Sequence, residues 1–326
     1  MDKPDSSAAA RLVSVVVPTR DRPHQLREAL ASIRALEGPD LQFEILVGDN
    51  GTDSETAGVV EAFGGIHIRS DKVGAAAGRN AGMRQASGEF IAFLDDDDVW
   101  LEGNIRPQIA ILDARPEIDA VIGRLIPTGP DLKRHEAPRP ETDPGEGNSL
   151  IRSMLSGYFP QLGATVVRTN VRDVDGYFDE GLTYGQDLDW QLRMARRHAM
   201  AFTPTICMLF RGRDAVEFDV MSFKRAQFDR RIFLSHALPE WRVWRSPMEF
   251  LRGYSGTMSY FYWHFLYLAG LAAERGDAVM ARKTVGGAFY VFPLRATLHA
   301  VTRAPFRKAA LTMVGLGAKP QASAGA

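Results

Sequence analysis

The sequence predicts an α/β fold, a mostly parallel sheet with helices on both faces, followed by a helical C-terminal region. Three observations carry this. Short β-branched runs alternate with segments of helical period over the first half of the chain, polar and acidic residues follow the successive strands, and beyond about residue 220 the pattern is helical.

Residues 11–17 read as a strand ending at Pro18, and Leu26, Leu30 and Ile33 mark the apolar stripe of a helix over 24–36. Strand and helix then repeat at 43–47 and 55–63, at 66–69 and 78–86, and at 90–94 and 105–114. Such alternation places parallel strands beneath helices. Residues 127–148, rich in proline, glycine and charge, read as a mobile loop inserted in the domain. Regular structure resumes with a helix near Leu150, a strand at 164–167, a helix at 187–197 and a strand at 206–210. The expected division is a disordered N-terminus at 1–10, an α/β domain at 11–219, a helical region at 220–316 and a disordered tail at 317–326. Within the helical region, 267–293 resembles one tetratricopeptide-like hairpin through its Gly-Asp turn and closing proline; a single repeat makes an appendage packed on the α/β domain, not a solenoid.

With 326 residues, 45% hydrophobic and 24% charged, the chain has ordinary globular composition, so disorder is not the default. Cys207 is the single cysteine, which excludes an internal disulfide and a multi-cysteine zinc site and fits a reducing compartment. No secretory signal is expected from the polar and small residues at the start, and the apolar run at 261–273 is interrupted by His264. That run falls short of the roughly 20 residues a spanning helix needs, so no transmembrane segment is expected. Residues 1–220 hold 24 basic and 35 acidic residues, whereas residues 221–326 hold 15 and 5. The basic part also carries Trp241, Trp244, Phe250, Tyr254, Phe261, Tyr262 and Trp263 among Arg242, Arg245 and Arg252. This mixture suits an anionic partner such as a membrane surface or a phosphorylated acceptor, or else the two halves attract each other. Nucleic acid is disfavoured, because no recognised motif accompanies the charge.

In open sheets ligands bind outside the carboxyl ends of the strands. The residues there are Pro18-Thr19-Arg20-Asp21, Asp49-Asn50-Gly51-Thr52-Asp53, Ser70-Asp71 and Asp95-Asp96-Asp97-Asp98. The sharpest feature is FIAFLDDDDVW at 90–100, where a buried strand delivers four consecutive carboxylates. Like charges this close repel and raise one another's pKa values, so the cluster persists most easily when a cation neutralises it. Oxygen ligands alone select Mg2+ or Mn2+, ions typically shared with substrate phosphates. The bland alternative is a solvated acidic turn capping the next helix.

At this point residues 13–213 resemble the inverting family 2 glycosyltransferases of the GT-A fold. The resemblance rests on SVVVPTRDRPHQL, EILVGDNGTD, GAAAGRNAGMRQASGEFIAFLDDDDVW and GYFDEGLTYGQDLDWQLR, in the family's order and at its usual separations. It implies a nucleotide-diphosphate sugar as donor, a divalent metal as cofactor, and a glycan, lipid-linked or other hydroxyl acceptor in polysaccharide or glycoconjugate synthesis. Asp95 and Asp97 match the Asp-x-Asp motif, with Asp97 as metal ligand and Asp95 nearer the donor ribose; Asp96 and Asp98 are secondary candidates. Pro18, Thr19, Arg20, Asp49 and Asn50 are implied on the nucleoside side, although Asp49-Asn50-Gly51-Thr52-Asp53 departs from the common Asp-Gly-Ser-Thr-Asp order. Arg79, in the Ala-x-Gly-Arg-Asn segment, is either a diphosphate contact or an ordinary helix-start charge.

Tyr184-Gly185-Gln186-Asp187-Leu188-Asp189-Trp190 resembles the family's Glu-Asp motif that contains the catalytic base, with Gln186 in place of the usual Glu. Residues two apart on a helix point about 200° apart, so Asp187 and Asp189 cannot face one cleft. Leu188, Leu192 and Ala195 mark the core stripe, and Asp189 stands four before Arg193, ready for an intrahelical ion pair. Asp187 is therefore the expected base, its alternative being a helix cap. Gln186, Asp189, Trp190 and Tyr184 are assigned to the acceptor side, with Tyr158 and Phe159 as further stacking candidates. His135 and His198 read as surface residues, and Arg211 and Arg213, where the family often has a His, either neutralise phosphate or are plain solvated charges. The alternative function is a catalytically silent scaffold that binds nucleotide or glycan, and Gln186 keeps it open. A nucleotidyltransferase lacks support, because the lysine-containing glycine-rich loop is missing at Pro18-Thr19-Arg20. The expected setting is cytoplasmic, with peripheral contact at the inner face of an anionic membrane.

Overall fold

A computed structural model describes residues 10–134, 136–212, 215–241, 245–314 and 316, and the side chains of 215–220 are outside that description. The terminal segments 1–9 and 317–326, and His135, Arg213, Arg242 and Trp244, lie outside the described residues. The chain splits into two compact units between Phe218 and Asp219.

The first unit runs β1 (Arg11–Thr19), α1 (Pro23–Arg34), β2 (Leu41–Asp49), α2 (Glu55–Ala62), β3 (Ile66–Arg69), α3 (Ala75–Gln85), β4 (Phe90–Phe93), β5 (Val99–Trp100), α4 (Arg106–Ala114) and β6 (Ile118–Thr128). It continues with α5 (Asn148–Met154), β7 (Thr165–Arg168), α6 (Asn170–Asp175), α7 (Gln186–Ala195) and β8 (Ala199–Arg211). One sheet holds all eight strands in the order β3-β2-β1-β4-β7-β6-β8-β5. The pairs β1–β2, β1–β4, β2–β3 and β6–β8 are parallel, and β4–β7, β6–β7 and β5–β8 are antiparallel. The α/β expectation holds, as a mainly parallel but mixed sheet.

Alternation in β1 explains how both faces are covered. Val13, Val15 and Val17 share a buried cluster with Leu26, Leu30 and Ile33 of α1, while Val16 points the other way, under α3 at Gly82. Register then sets the site. β1 and β2 stay in step from Arg11↔Leu41 to Thr19↔Asp49, and β4 pairs with β1 from Val13↔Phe90 to Val16↔Phe93. Phe90 to Leu94 are fully buried, so the chain leaves the sheet at Asp95, level with the end of β1.

The sequence reading omits β6, the two-residue β5 and the first half of β8. The β6–β8 register shifts at Ile118/Ala120, Ile122/Arg124 and Arg124/Leu125, which breaks the two-residue alternation by which a strand is recognised. β6 also continues to Thr128, inside the segment read as a loop from residue 127.

The second unit contains α8 (Ala215–Trp241) from Asp219 onward, then α9 (Pro247–Arg275), α10 (Ala278–Val291), α11 (Pro293–Thr302) and α12 (Ala304–Met313). Met258, Phe261, Tyr262, Phe265, Val285, Val291 and Phe306 build its core. The turn between α9 and α10 is Gly276, at φ 67°, and Asp277, whose carboxylate accepts the Met280 N–H at 2.9 Å. This pair of helices spans 247–291, longer than the tetratricopeptide unit of about 34 residues, and forms a plain helical hairpin. The aromatic set assigned to a membrane face is corrected in part: among its described residues Trp241, Phe261 and Tyr262 are buried, Phe250 and Tyr254 are half-buried, and Trp263 is exposed, at 43%.

α3 lies so close to β2 that a Cβ on Gly48 would stand 2.0 Å from the Gly78 carbonyl oxygen. Gly48→Ala is therefore expected to cost about 1–3 kcal/mol and lower the thermal midpoint by several degrees. An unchanged midpoint in calorimetry would contradict this packing.

Candidate active site

A cavity of about 250 Å³ opens at the carboxyl ends of β1, β2 and β4, lined by Pro18, Thr19, Arg20, Arg22, Asn50, Gly74, Ala75, Arg79 and Asp95, Asp96 and Asp97. Seven of the residues assigned to the donor, together with the proposed metal ligand Asp97, meet here. Asn50 is fixed by a hydrogen bond from Nδ2 to the Gly74 carbonyl at 2.9 Å. Asp49 does not line the cavity. Its buried carboxylate accepts from Arg69 Nη1 at 2.7 Å and from the Gly51 N–H at 2.7 Å, and contacts His67 Nε2 at 2.9 Å. Burial alone would raise the Asp49 pKa, but His67, the Gly51 amide and Arg69 together hold it below the usual carboxylate range.

The four aspartates separate by their partners. Asp96 is 5% exposed and accepts from Thr19 Oγ1 at 2.8 Å, from the Arg20 N–H at 3.4 Å and from Arg22 Nη1 at 3.2 Å. Burial first, then Asp97, push its carboxyl up to about 6 against the pull of Arg22 and Thr19. Asp96 lines the cavity, and both its oxygens also tie the loop after β1 to the acidic turn. Asp97 accepts from Arg22 Nη1 at 2.8 Å. Asp98 is 3% exposed and takes the Arg211 N–H at 2.8 Å; burial, then Asp97 and Asp95, push it well above the ordinary carboxylate value.

Arg79 is the buried hinge of this arrangement. Only 4% of its side chain is exposed, Nη2 donates to Asp95 Oδ1 at 2.5 Å, and its guanidinium lies over the Phe178 ring at 5.5 Å from the centroid. Desolvation works against its charge, yet Asp95, Asp187 and Asp97 outweigh it and raise its pKa. A free helix-start charge is thereby excluded for Arg79. Arg211 matches neither alternative offered for it: its Nε donates to the Asp97 carbonyl at 2.6 Å, Nη1 to the Pro130 carbonyl at 2.7 Å, and the same guanidinium pairs with Glu28. It clamps the acidic turn from behind.

Asp95, Asp97 and Asp98 each bring a carboxylate oxygen within 4.8 Å of the others. An all-oxygen set with more negative charge than its arginines cancel fits Mg2+ or Mn2+. Asp98, secondary in the sequence reading, joins the set, and Arg22 was missed altogether. Its signal was present, since it directly precedes Pro23 at the first position of α1.

The Glycosyl transferase family 2 model matches residues 14–165. Over those residues the chain is similar to that family, a match that spans just under half of its length. The chain is 32% identical over 105 residues to the Escherichia coli UDP-Glc:alpha-D-GlcNAc-diphosphoundecaprenol beta-1,3-glucosyltransferase WfgD, over 31% of this chain and 41% of that protein. It thus spans less than half the length of this curated relative. Its fold is similar to that of S. aureus TarS 1-349 in complex with UDP-GlcNAc, at TM-score 0.56 and 18% identity over 94% of this chain and 89% of the other. It is similar too to the mannosyltransferase PcManGT from Pyrobaculum calidifontis in complex with GDP-Man and Mn2+, at TM-score 0.56 and 18% identity over 96% of this chain and 89% of the other.

The helix carrying the expected base is α7, entered through Gly185 at φ 71°, a left-handed conformation that favours glycine. Gly185 is the cap and Asp187 the second helical residue; Asp187 is part-exposed, and its carboxylate is near enough to Arg79 to raise that pKa. Asp189 bonds Arg193 Nε at 3.0 Å, the intrahelical pair expected of it, so its acceptor-side assignment is not supported. Trp190 is corrected outright. It is fully buried, donates from Nε1 to the Gly176 carbonyl at 3.1 Å and stacks on Phe178 at 4.9 Å, in the core. Gln186 is 8% exposed and turned inward, which also removes it from an acceptor-facing surface, whereas Tyr184 stays part-exposed. Tyr158 and Phe159 are part-exposed, and the Tyr158 hydroxyl is buried, with its pKa raised by burial and then by Asp143. His198 is no surface residue: 8% of its side chain is exposed, with Nδ1 2.8 Å from Asp119 and Nε2 3.1 Å from Asp175.

If Trp190 is core, Trp190→Ala should cost about 3–5 kcal/mol in denaturant unfolding, while Trp190→Phe keeps most of the stability. An alanine variant of wild-type stability would reinstate a role on the acceptor side.

Proposed function

We propose that this chain transfers a glycosyl group from a nucleoside-diphosphate sugar to an acceptor hydroxyl by single displacement with inversion at the anomeric carbon. The observation that carries it is the shared field of Arg79: the same buried guanidinium holds Asp95, on the donor cavity, and is raised by Asp187, at the start of α7. What supports the reading is that Asp95 is bonded to Arg79 and that Asp187 adds to the negative field at the same guanidinium.

On this reading the donor occupies the cavity, with its nucleoside toward Pro18, Thr19, Arg20 and Asn50. The diphosphate lies at the first turn of α3, where Gly74 and Ala75 line the cavity and no side chain caps the helix, leaving backbone N–H groups for an anion. Asp97, with Asp95 and Asp98, would hold Mg2+ or Mn2+, which neutralises the charge developing on the departing diphosphate. Asp187 accepts the proton of the acceptor hydroxyl as that oxygen bonds to the anomeric carbon. The bond from that carbon to the diphosphate oxygen breaks, and the nucleotide leaves with the electron pair. Arg79 holds Asp95 on the donor side.

The acceptor is proposed to be a hydroxyl of a glycan, a lipid-linked one being favoured by the undecaprenol-linked acceptor in WfgD's name. The proposed setting is the cytoplasmic face of an anionic membrane, touched peripherally by the second unit; what supports it is that unit's excess of basic residues. None of the described helices is long and apolar enough to cross a membrane.

Asp187→Asn should lower the transfer rate about 100- to 10,000-fold while leaving donor affinity by calorimetry nearly unchanged. Turnover at the wild-type rate would remove Asp187 from the role of base. Proton NMR of the early product should show the anomeric configuration opposite to the donor's, and retention would overturn the single-displacement mechanism.

A further inference from the structure

α11 is amphipathic in the reverse sense for a helix at the surface of a globular unit. Leu294, Leu298 and Val301 stand at i, i+4 and i+7, within roughly 60° of one another around the helix axis. They are 87%, 59% and 68% exposed. Ala296, on the opposite side, is fully buried and is the one buried residue of the helix. Rotation cannot hide the stripe, because the inner side is pinned: Tyr262 Oη and His299 Nδ1 are 2.8 Å apart, and His299 also packs against Trp263. α12 adds Leu311, 42% exposed, and Val314, just past its last residue, is 59% exposed. An exposed apolar surface of this kind marks an interaction site.

The charge around it identifies the occupant. Residues 278–326 hold seven lysines and arginines and no aspartate or glutamate. Arg303, whose guanidinium lies 4.8 Å from the centroid of the exposed Trp263 ring, and Arg307 and Lys308 are all exposed beside the stripe. Arg295 covers the neighbouring Phe292 ring at 4.8 Å. Burial, then Arg303 and Arg295, hold His299 below the usual histidine range, which registers the positive field at this face. A second copy of the chain would bring the same cations against themselves, which opposes self-association. An anionic bilayer offers negative charge at the cationic rim and hydrocarbon to the stripe, the pattern of a helix lying in the interface plane.

We propose that α11, with the start of α12, is the surface on which this protein rests on an anionic lipid bilayer: Leu294, Leu298 and Val301 enter the acyl boundary while Arg303, Arg307 and Lys308 meet lipid phosphates. This deepens the membrane part of the proposed function and rests on it, but it is independent of the transfer chemistry. It also moves the contact from the aromatic cluster of residues 241–263, of which Trp241, Phe261 and Tyr262 are buried, to a face the sequence composition did not single out.

Full-length protein would be co-sedimented with vesicles of phosphatidylcholine alone and of phosphatidylcholine with phosphatidylglycerol, at low and physiological salt, alongside Leu298→Asp/Val301→Asp and Arg303→Glu/Arg307→Glu. Circular dichroism and donor-induced thermal stabilisation of the same samples report on folding and on the cavity alone. The expected result is binding to anionic vesicles only, weakened by salt, and at least roughly tenfold weaker in each variant. No binding of the wild type at low salt overturns both this surface and the membrane part of the functional reading, while a retained donor shift leaves the transfer reading standing. Equal binding by the Leu298→Asp/Val301→Asp protein overturns this surface alone. Concentration-dependent self-association in sedimentation velocity, lost in that variant, overturns it in favour of an interface between copies.

Discussion

Four consecutive carboxylates at the end of a buried strand repel one another, and three arginines from separate parts of the first unit hold them where the sheet delivers them. Arg22 enters from the loop after β1 and spans Asp96 and Asp97, Arg79 enters from α3 and takes Asp95, and Arg211 at the end of β8 donates from Nε to the Asp97 carbonyl and from its backbone N–H to the Asp98 carboxylate. Each removes the freedom of an acidic side chain to swing into water and lower the repulsion. What remains is a fixed surplus of negative charge in a partly desolvated pocket, where electrostatic interactions are stronger than in bulk solvent. Cation affinity is the direct consequence of that surplus.

The sheet makes the cluster possible. β4 is bonded on both edges, by β1 and β7, and Phe90 to Phe93 are fully buried, so it cannot relax to relieve strain at its end. The close approach of Gly48 and Gly78 presses α3 onto β2 and brings Arg79 within reach of Asp95. The same α3 presents its first turn to the cavity. Backbone contact, side-chain charge and helix polarity therefore arise from one packing decision, which is why a glycine remote from the chemistry matters to it.

Much of this was legible from the sequence. The valines of β1 and the run from Phe90 to Leu94 announce strands, and the polar residues after them announce an edge where ligands bind. Asp189 and Arg193 declared their pairing by spacing alone. The failures share a cause. Periodicity reports whether a side chain is on a buried face, not what surrounds it, so Trp190 looked available and Asp96 looked free when one is core and the other a tie. The partners that decide those roles, Gly176 and Phe178 for the tryptophan, Thr19 and Arg22 for the aspartate, are 14 and 12 residues away for Gly176 and Phe178, and more than 70 for Thr19 and Arg22. β6 escaped because its register shifts erase alternation. His198 escaped because its two carboxylates, Asp119 and Asp175, come from distant elements.

The carboxylate surplus is what would hold a divalent cation and, with it, a nucleotide sugar. The most direct measurement is the thermal midpoint of the wild type and of Asp97→Ala with UDP-, GDP- and dTDP-sugars, with and without Mn2+, because a ligand that binds the native state raises its stability. The account predicts a rise with at least one nucleotide sugar that requires Mn2+ and vanishes in Asp97→Ala. A midpoint unmoved by every donor, or raised equally without metal and in the variant, would contradict it.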